Sequence, residues 1–303
     1  MSIIHDIEEA YPIVIRKSKR IRDVYRLKTM EGRDLCSKNY DNSEQEVDFI
    51  ARVMNHLIEK GFQYGPRITS SKSQMQWMMR NEKPYMITNW VRGRSPDFEN
   101  LTEWKKAIRT LASFHLHAEG LTLQDIPPGR NRYAFLQNLI EDYRQTLSEY
   151  QGAGELGALI TLCNDAIYHL NQPKSIEAMT HEASVHAFAH GDYNYPNLVI
   201  DRRGSIHLID FENTSLQARL TDLSHILHRN CSWNGEEMIR WIEYYDRKRP
   251  LSSADRHLLF SLLLVPYPFI RAIRLKKSDK RIKEAIPQTR SIAKYVNGLR
   301  KML

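Results

Sequence analysis

The stretch HGDYNYPNLVIDRRGSIHLIDFENT, residues 190–214, places two aspartates and an asparagine around a short predicted β-hairpin. Asp192 follows the apolar lead-in AFAH, and Asn197 comes five residues later, directly before the strand NLVID. The turn RRGS returns the chain through IHLID, which ends at Asp210. Because the two strands pair, we expect Asn197 and Asp210 to lie at the same end of the hairpin.

Two carboxylates and an amide are the side chains that phosphoryl transfer from a nucleotide requires. Oxygen ligands hold Mg²⁺ near the phosphates, and a further carboxylate orients the attacking hydroxyl. Each residue taken alone is better explained as a cap on a turn or strand end. Their order within one 25-residue stretch favours a joint chemical role.

The rest of the chain predicts two lobes of different character. Up to residue 90 it is β-rich, with one helix over 44–61 that starts at a capping box of Ser43 and Glu46. From 91 to 303 long helical patterns dominate, and only the hairpin interrupts them. We therefore predict an α+β fold with a small β-rich N-lobe, a short hinge and a larger, mainly helical C-lobe. The predicted N-lobe strands are VYRLKT (24–29), DLCSKNY (34–40), MQWMMR (75–80) and YMITNWV (85–91).

The composition limits the class of protein. The 303 residues are 42% hydrophobic, and no apolar run reaches the length of a membrane helix, so a membrane partner is not expected. The N-terminus carries acids early and lacks a basic region followed by an apolar one, so a signal peptide is not expected there. Three widely spaced cysteines predict free thiols and synthesis in a reducing cytoplasm. The net charge is +8, and its clearest basic cluster, RAIRLKKSDKRIKEA (271–285), has no interleaved aromatic residues. Nucleic acid is therefore not an expected partner.

The paired motifs resemble the aminoglycoside-phosphotransferase and choline-kinase branch of the protein-kinase-like superfamily. HGDYNYPN looks like the HxDxxxxN catalytic loop of that branch, and IDFE looks like its metal-binding motif. The resemblance implies a protein-kinase-like bilobal fold with ATP and Mg²⁺ as cofactors. It implies Asp192 as catalytic base, and Asn197 and Asp210 as Mg²⁺ ligands. The nucleotide-binding lobe would be residues 1–90, and the lobe with the catalytic loop and metal hairpin 91–303.

The same resemblance implies three supporting residues. Glu212 is placed beside the metal or in a second metal site. Asp222, in LTDLSHIL, matches the aspartate that braces the catalytic loop. His190 directly precedes the motif, and we interpret it as a support of the loop backbone rather than as a metal ligand.

The N-lobe offers candidates for nucleotide binding. Lys38 lies on the second strand of a hairpin, where this fold places the lysine that contacts the phosphates. Its partner should be a helix acid, and Glu44 and Glu46 are both candidates that spacing does not separate. The strand YMITNW is the predicted hinge, where backbone groups of Ile87 to Asn89 would meet an adenine.

One segment departs from the pattern of the fold. The turn between the first two strands is expected at KSKRIRD (17–23), and it contains no glycine. Bulky side chains hinder a close approach of backbone amides to phosphate. Lys17, Lys19 and Arg20 offer cationic contacts instead.

A narrower resemblance joins several segments. VYRLKT, WVRGRSPDFEN, LASFHLHAEG and HGDYNYPN together look like the CotS-type spore coat proteins of endospore-forming bacteria, over residues near 20 to 230. This implies a phosphotransferase that acts on a hydroxyl of an unknown, small-molecule acceptor, located in the spore coat beside other coat proteins. The alternative is a catalytically inactive pseudokinase with a structural role in the coat.

Overall fold

The computed structural model describes residues 3–150 and 156–303, which form two compact units. The first unit contains the described residues up to Asp97, together with Leu123–Arg130 and Asn194–Thr214. The second contains Phe98–Thr122, the described residues between 131 and 193, and Ser215–Leu303. Each unit is assembled from several separate segments of the chain. The lobe boundary at residue 90 stays a prediction.

Helices and strands are both present, which confirms the predicted α+β class. The strands are β1 Ile15–Ile21, β2 Val24–Thr29, β3 Asp34–Asn39, β4 Trp77–Arg80, β5 Lys83–Asn89, β6 Phe188–Ala189, β7 Leu198–Ile200, β8 Ile206–Leu208 and β9 Ser215–Leu216. The helices are α1 Ile3–Ala10, α2 Glu44–Glu59, α3 Leu101–His117, α4 Phe135–Glu149, α5 Gly157–Leu170, α6 Pro173–Ser184, α7 Leu220–Cys231, α8 Gly235–Asp246, α9 Ser253–Leu264, α10 Tyr267–Arg274, α11 Asp279–Glu284 and α12 Thr289–Leu299.

The first unit is built on one antiparallel sheet with the strand order β1-β2-β3-β5-β4. Its core contains Leu27, Leu35 and Ile87 from three strands, packed with Ile7 and Tyr11. Ile7 lies in α1, a helix that the sequence interpretation did not include. Eight residues are too few for a helix to be stable by itself, so α1 depends on burying this apolar face.

The turn between β1 and β2 is shorter than predicted. The segment KSKRI belongs to β1, and only Arg22 and Asp23 connect Ile21 to Val24. Arg22 takes a positive φ of 55°, as tight two-residue turns require. The prediction of a seven-residue turn was wrong because residues 16–20 are all exposed, so this strand shows no alternation of apolar and polar residues.

Helix α2 begins as predicted. The Ser43 side chain accepts the backbone N–H of Glu46, and the Glu46 carboxylate accepts the backbone N–H of Ser43. This capping box satisfies backbone donors that the first turn of a helix leaves unpaired. It fixes the helix that follows Lys38 in the chain.

The second unit is mainly helical. Alongside the helices it contains the short pair β6–β9, which the sequence interpretation missed because each strand has only two residues. Helix α9 is almost wholly buried. Among the described residues no single helix is long and apolar enough to cross a membrane. Helices α9 and α10 meet that test only as a pair, and they are bent by 46°.

Candidate functional site

Lys38 forms a cluster with two carboxylates in the first unit. Its Nζ lies 2.5 Å from Asp210 Oδ1 and 2.6 Å from Glu212 Oε2. Burial alone would lower the pKa of Lys38, but the charge of Asp210, the Tyr40 hydroxyl and the hydrogen bonds to Asp210 and Glu212 together outweigh it and hold the pKa well above its usual range. The ammonium is therefore charged at neutral pH, and it also lies 5.1 Å from the ring centre of Tyr40. We call these three charged residues, Lys38, Asp210 and Glu212, the lysine–carboxylate cluster.

The hairpin β7–β8 brings Asn197 to the same end as Asp210. Leu198 pairs with Leu208, so Asn197 directly precedes the paired strands and Asp210 follows two residues after them. The backbone N–H of Ile209 donates to the carbonyl oxygen of Asn197 at 2.9 Å. The two predicted metal ligands thus lie on neighbouring backbone segments, as the sequence analysis expected.

Asp210 has an unusual backbone. Its φ of 64° and ψ of 69° lie in the left-handed region, which residues with a side chain rarely adopt. Short polar residues tolerate it best. Such a conformation costs on the order of 1 kcal/mol and is found mostly where function requires it.

Gly93 allows the segment VRGRS to pair closely with the hairpin. Arg94 and Ile200 exchange backbone hydrogen bonds of 3.2 and 2.8 Å. A Cβ at residue 93 would lie 2.1 Å from the carbonyl oxygen of Ile200, which no side chain can accommodate. The glycine is therefore needed for the close approach of this segment to β7, the strand that follows Asn197.

The structure gives Lys38 other partners than the predicted Glu44 or Glu46. Glu46 is bound to Arg130, whose Nη2 lies 2.8 Å from its Oε1. The Arg130 Nη1 donates to the carbonyl oxygens of Glu212 and Thr214 at 2.7 and 2.9 Å. This nearly buried arginine connects the start of α2 to the segment 210–214. It is bound to the carboxylate of Glu46, one of the two predicted partners of Lys38.

Strand β5, the predicted hinge, has backbone groups that are bonded to the segment 67–69. The carbonyl oxygen of Ile87 accepts the N–H of Thr69 at 2.8 Å, and the N–H of Asn89 donates to Arg67 at 3.0 Å. The side chain of Asn89 also accepts the N–H of Arg67. These atoms are already bonded to residues 67–69, and the adenine contact assigned to them stays a prediction.

The chemistry of the donors fits a hard cation. Asp210 and Glu212 present carboxylate oxygens, and Asn197 carries an amide. No group of three or more His, Cys, Asp or Glu in the described part of the chain forms a complete metal site. Mg²⁺ in nucleotide sites is typically held by one or two carboxylates, and the phosphates complete its shell. These residues therefore fit Mg²⁺ bound together with a nucleotide.

In the second unit, Asp222 braces the loop that carries Asp192. Its two carboxylate oxygens accept the backbone N–H groups of His190, at 2.7 Å, and Gly191, at 2.9 Å. The N–H of Asp192 donates to Nδ1 of His190 at 3.4 Å. We call residues 190–192 the aspartate loop. Asp222 and His190 thus accept backbone N–H groups of this loop, and their roles as supports of a catalytic loop stay predictions.

A buried histidine completes the brace. His115 Nε2 lies 3.4 Å from Asp222 Oδ2, and its Nδ1 lies 2.6 Å from the hydroxyl of Tyr245. Burial lowers the pKa of His115 to about 4. Burial alone would raise the pKa of Asp222, but the hydrogen bonds from His115 and the His190 backbone hold it below its usual value. At neutral pH the pair is a neutral imidazole that donates to an ionised carboxylate.

The depressed pKa of His115 predicts that the protein loses stability as the pH falls below about 6.5. The unfolded chain then binds a proton that the folded protein excludes until about pH 4, so the free energy of unfolding decreases with falling pH across this window. The expected effect is about 1.4 kcal/mol per unit of pKa difference. Urea unfolding between pH 7 and pH 5 measures it. The buried His225 and His228 have depressed pKa values as well, so His115→Gln should reduce the slope without abolishing it. His181→Gln, at an exposed position, should leave the slope unchanged. Equal slopes in both variants would contradict the role of His115.

Asp192 is paired with an arginine from α7. Arg229 Nη1 lies 2.8 Å from Asp192 Oδ1, and its Nη2 donates to the hydroxyl of Tyr267 at 3.0 Å. Tyr267 in turn stacks on His225, with ring centres 4.6 Å apart. The Asp192 side chain is thereby held from the helix that also carries Asp222.

Sequence analysis missed two arginines of these sites. Arg229 lies seven positions after Asp222 on α7, and this spacing puts both on one face of a helix. That periodicity is a signal that could have indicated it. Arg130 lies in the irregular segment PPGRNR, and no periodicity connects it to Glu46, 84 positions earlier.

The fold and the sequence together define the class of protein, which is the kinase-like phosphotransferase family. Residues 13–251 match the family model APH, described as phosphotransferase enzyme family, and the chain belongs to that family. Three solved structures show the same fold. An aminoglycoside phosphotransferase from Alicyclobacillus acidocaldarius has a TM-score of 0.76 and 17% identity, over 100% of this chain and 94% of that one.

The second is an amicoumacin kinase in complex with AMP-PNP and Ca²⁺, with a TM-score of 0.64, 13% identity, and coverage of 99% and 92%. The third is a microcompartment-associated aminopropanol kinase, with a TM-score of 0.61, 15% identity, and coverage of 99% and 94%. At these identities the likeness shows the fold alone, and it confirms the predicted protein-kinase-like architecture.

Proposed function

We propose that this protein transfers the γ-phosphoryl group of ATP to a hydroxyl of a small-molecule acceptor, with Mg²⁺ as the metal. The observation that carries the proposal is the lysine–carboxylate cluster, in which a partly buried ammonium contacts two carboxylates at the end of the hairpin that follows Asn197. Such a set matches the electrostatic needs of a nucleotide–metal complex. Family membership and nucleotide-bound structures of the same fold support it.

Each residue has a role in the proposed reaction. Lys38 neutralises phosphate charge, and Asn197 and Asp210 hold Mg²⁺, with Glu212 beside them. Bound Mg²⁺ supplies positive charge that offsets the charge of the phosphates. Asp192, on the braced aspartate loop, accepts the proton of the acceptor hydroxyl.

The reaction balances without any further reactant. The acceptor oxygen forms a bond to the γ-phosphorus, and the bond between that phosphorus and the β–γ bridging oxygen breaks. The products are a phosphomonoester, ADP and one proton, which leaves through Asp192. Catalysis comes from positioning and from charge neutralisation rather than from a covalent enzyme intermediate.

The spore coat remains the proposed location, with synthesis in a reducing cytoplasm and other coat proteins as partners. The support is the resemblance to CotS-type sequences, and Cys36, Cys163 and Cys231 are free thiols. Immunofluorescence on sporulating cells of the source bacterium tests the location. A signal confined to the vegetative cytoplasm would contradict it.

A second candidate is a pseudokinase with a structural role in the coat. The two-residue turn Arg22–Asp23 favours it, because a turn this short and without glycine offers little backbone to cover phosphates. Nucleotide binding separates the candidates, since a protein without affinity for ATP has no transferase function.

We expect ATP with Mg²⁺ to raise the melting temperature by a few degrees, because a ligand at 100 times its Kd adds about 2.7 kcal/mol to stability. Lys38→Met should abolish this rise, since the phosphates lose their buried cation. Differential scanning fluorimetry measures both. Lys28→Met, at an exposed lysine of the neighbouring strand β2, should respond like the unchanged protein. No stabilisation at millimolar ATP would refute the transferase proposal.

A further inference from the structure

A cavity of about 200 Å³ lies within the second unit, beside the aspartate loop. Its wall includes Gly191, the residue directly before Asp192, and Tyr267, which is bonded to the same arginine as Asp192. An engineered cavity of about 150 Å³ is known to bind benzene. The space therefore suits one ring with a short substituent and excludes a compound of several linked rings.

The wall of the cavity is mainly apolar and aromatic. Leu136, Ile140, Tyr143 and Leu262 contribute to it, and Thr221, Ser224 and Gln217 add polar atoms. Small-molecule sites have this character: apolar walls bury the body of the ligand, and a few polar groups orient it.

The cavity offers nothing that compensates a positive charge. None of its described lining residues is an aspartate or a glutamate, and Arg132 is its one charged residue. Burial lowers the pKa of His225 to about 4 and of His228 to about 3, so both are neutral at pH 7. The carboxylate of Asp192, the residue that follows Gly191, is already paired with Arg229, and that of Asp222 is bonded to the backbone of the aspartate loop. Burying an ammonium group here would leave its charge without a partner, which is strongly unfavourable.

One lining residue, His228, has a buried nitrogen without a hydrogen-bond partner in the described residues. His228 is 2% exposed, and its Nε2 lies 3.3 Å from the carbonyl oxygen of Leu262. Nε2 is then the protonated nitrogen, and Nδ1 is an acceptor that has no hydrogen-bond partner in the described residues. This nitrogen is itself buried, so it is not open to a ligand in the cavity, and it is the proposed phosphoryl transfer that requires a hydroxyl on the acceptor.

From these observations we propose that the acceptor of the phosphotransferase is a compact ring alcohol without positive charge, bound in the cavity beside Asp192. This inference rests on the proposed function, and it adds the chemical class of the acceptor. The alcohol, in uncharged or anionic form, supplies the oxygen that attacks the γ-phosphorus of ATP, and its proton passes to Asp192. The ring fills the apolar wall.

Binding of simple probes tests the proposal. We would use benzyl alcohol and 4-(hydroxymethyl)benzoate as ring alcohols, and ethanolamine and kanamycin as cations, with ligand-observed NMR on the full chain. The ring alcohols should bind, and the cations should not. Ser224→Leu, which fills the cavity from α7, should weaken ring-alcohol binding at least tenfold. Asn230→Leu, on the exposed part of the same helix, should leave it unchanged.

A second variant keeps the test decisive if Ser224→Leu does not fold. Gln217→Glu adds a carboxylate to the wall at constant size, and it should weaken 4-(hydroxymethyl)benzoate and admit ethanolamine. The proposal is overturned if the cations bind the unchanged protein, or if no ring alcohol binds. ATP-induced stabilisation is measured on the same samples. Its loss alone refutes the transferase function, whereas cation binding with intact ATP stabilisation refutes only the acceptor class.

Discussion

Asp192→Asn is expected to lower phosphoryl transfer about 10²- to 10⁴-fold and to leave nucleotide binding intact. The amide keeps the size of the side chain but cannot accept the hydroxyl proton. The nucleotide contacts are assigned to other residues, Lys38, Asn197 and Asp210, so their affinity should not change. Release of ADP in the presence of an accepted alcohol measures turnover, and the ATP-induced shift of the melting temperature measures binding.

The matched control is Asp48→Asn. Asp48 also forms an ion pair with an arginine, since its Oδ2 lies 2.7 Å from Nε of Arg52, but it lies exposed on α2. Its replacement should change turnover less than about twofold, because isolated surface ion pairs contribute little. If Asp192→Asn keeps full turnover, or loses nucleotide binding, the assignment of Asp192 as base is refuted.

Glu182→Ala is expected to destabilise the second unit by about 3–5 kcal/mol. Glu182 is fully buried between two arginines: its Oε1 lies 2.6 Å from Nη2 of Arg219 and 3.1 Å from Nη2 of Arg249. Its Oε2 also accepts the backbone N–H of Arg219 at 2.8 Å. Without this carboxylate, the nearly buried guanidinium groups of Arg219 and Arg249 lose the buried negative charge that both of them contact. Urea denaturation followed by circular dichroism measures the loss.

Arg219 supplies its own control for this experiment. Its Nη1 contacts Glu119 at 2.6 Å, and the Glu119 side chain is 45% exposed. Glu119→Gln removes a charge from the same arginine at a solvated position, and the expected cost is below about 1 kcal/mol. Equal losses in the two variants would mean that burial does not decide the strength of these ion pairs.

The sequence predicted those parts of the fold in which local pattern and burial agree. The alternation in VYRLKT and DLCSKNY corresponds to β2 and β3, and the capping box at Ser43 starts α2. Strand β1 and helix α1 depend on their neighbours instead. An edge strand exposed along its length has no period of two, and an eight-residue helix depends on the core it covers.

The site divides in the same way. Asn197 and Asp210 were predictable because one hairpin joins them over a few residues. The partner of Lys38 could not be predicted in this way, because Glu46 forms an ion pair with Arg130, which lies 84 positions further along the chain. Spacing determines which side chains share a face of one element. It carries no information about which of two acids a distant arginine will contact.

Strand β1 has a consequence for how copies of this chain meet. It forms one border of the five-stranded sheet, and Arg16, Lys17, Lys19 and Arg20 are exposed along it. An edge strand has backbone N–H and C=O groups that can pair with a strand of another chain, and at high protein concentration such pairing leads to fibres. Two copies that approach each other through β1 bring like charges together. These charges therefore disfavour edge-to-edge aggregation of the protein.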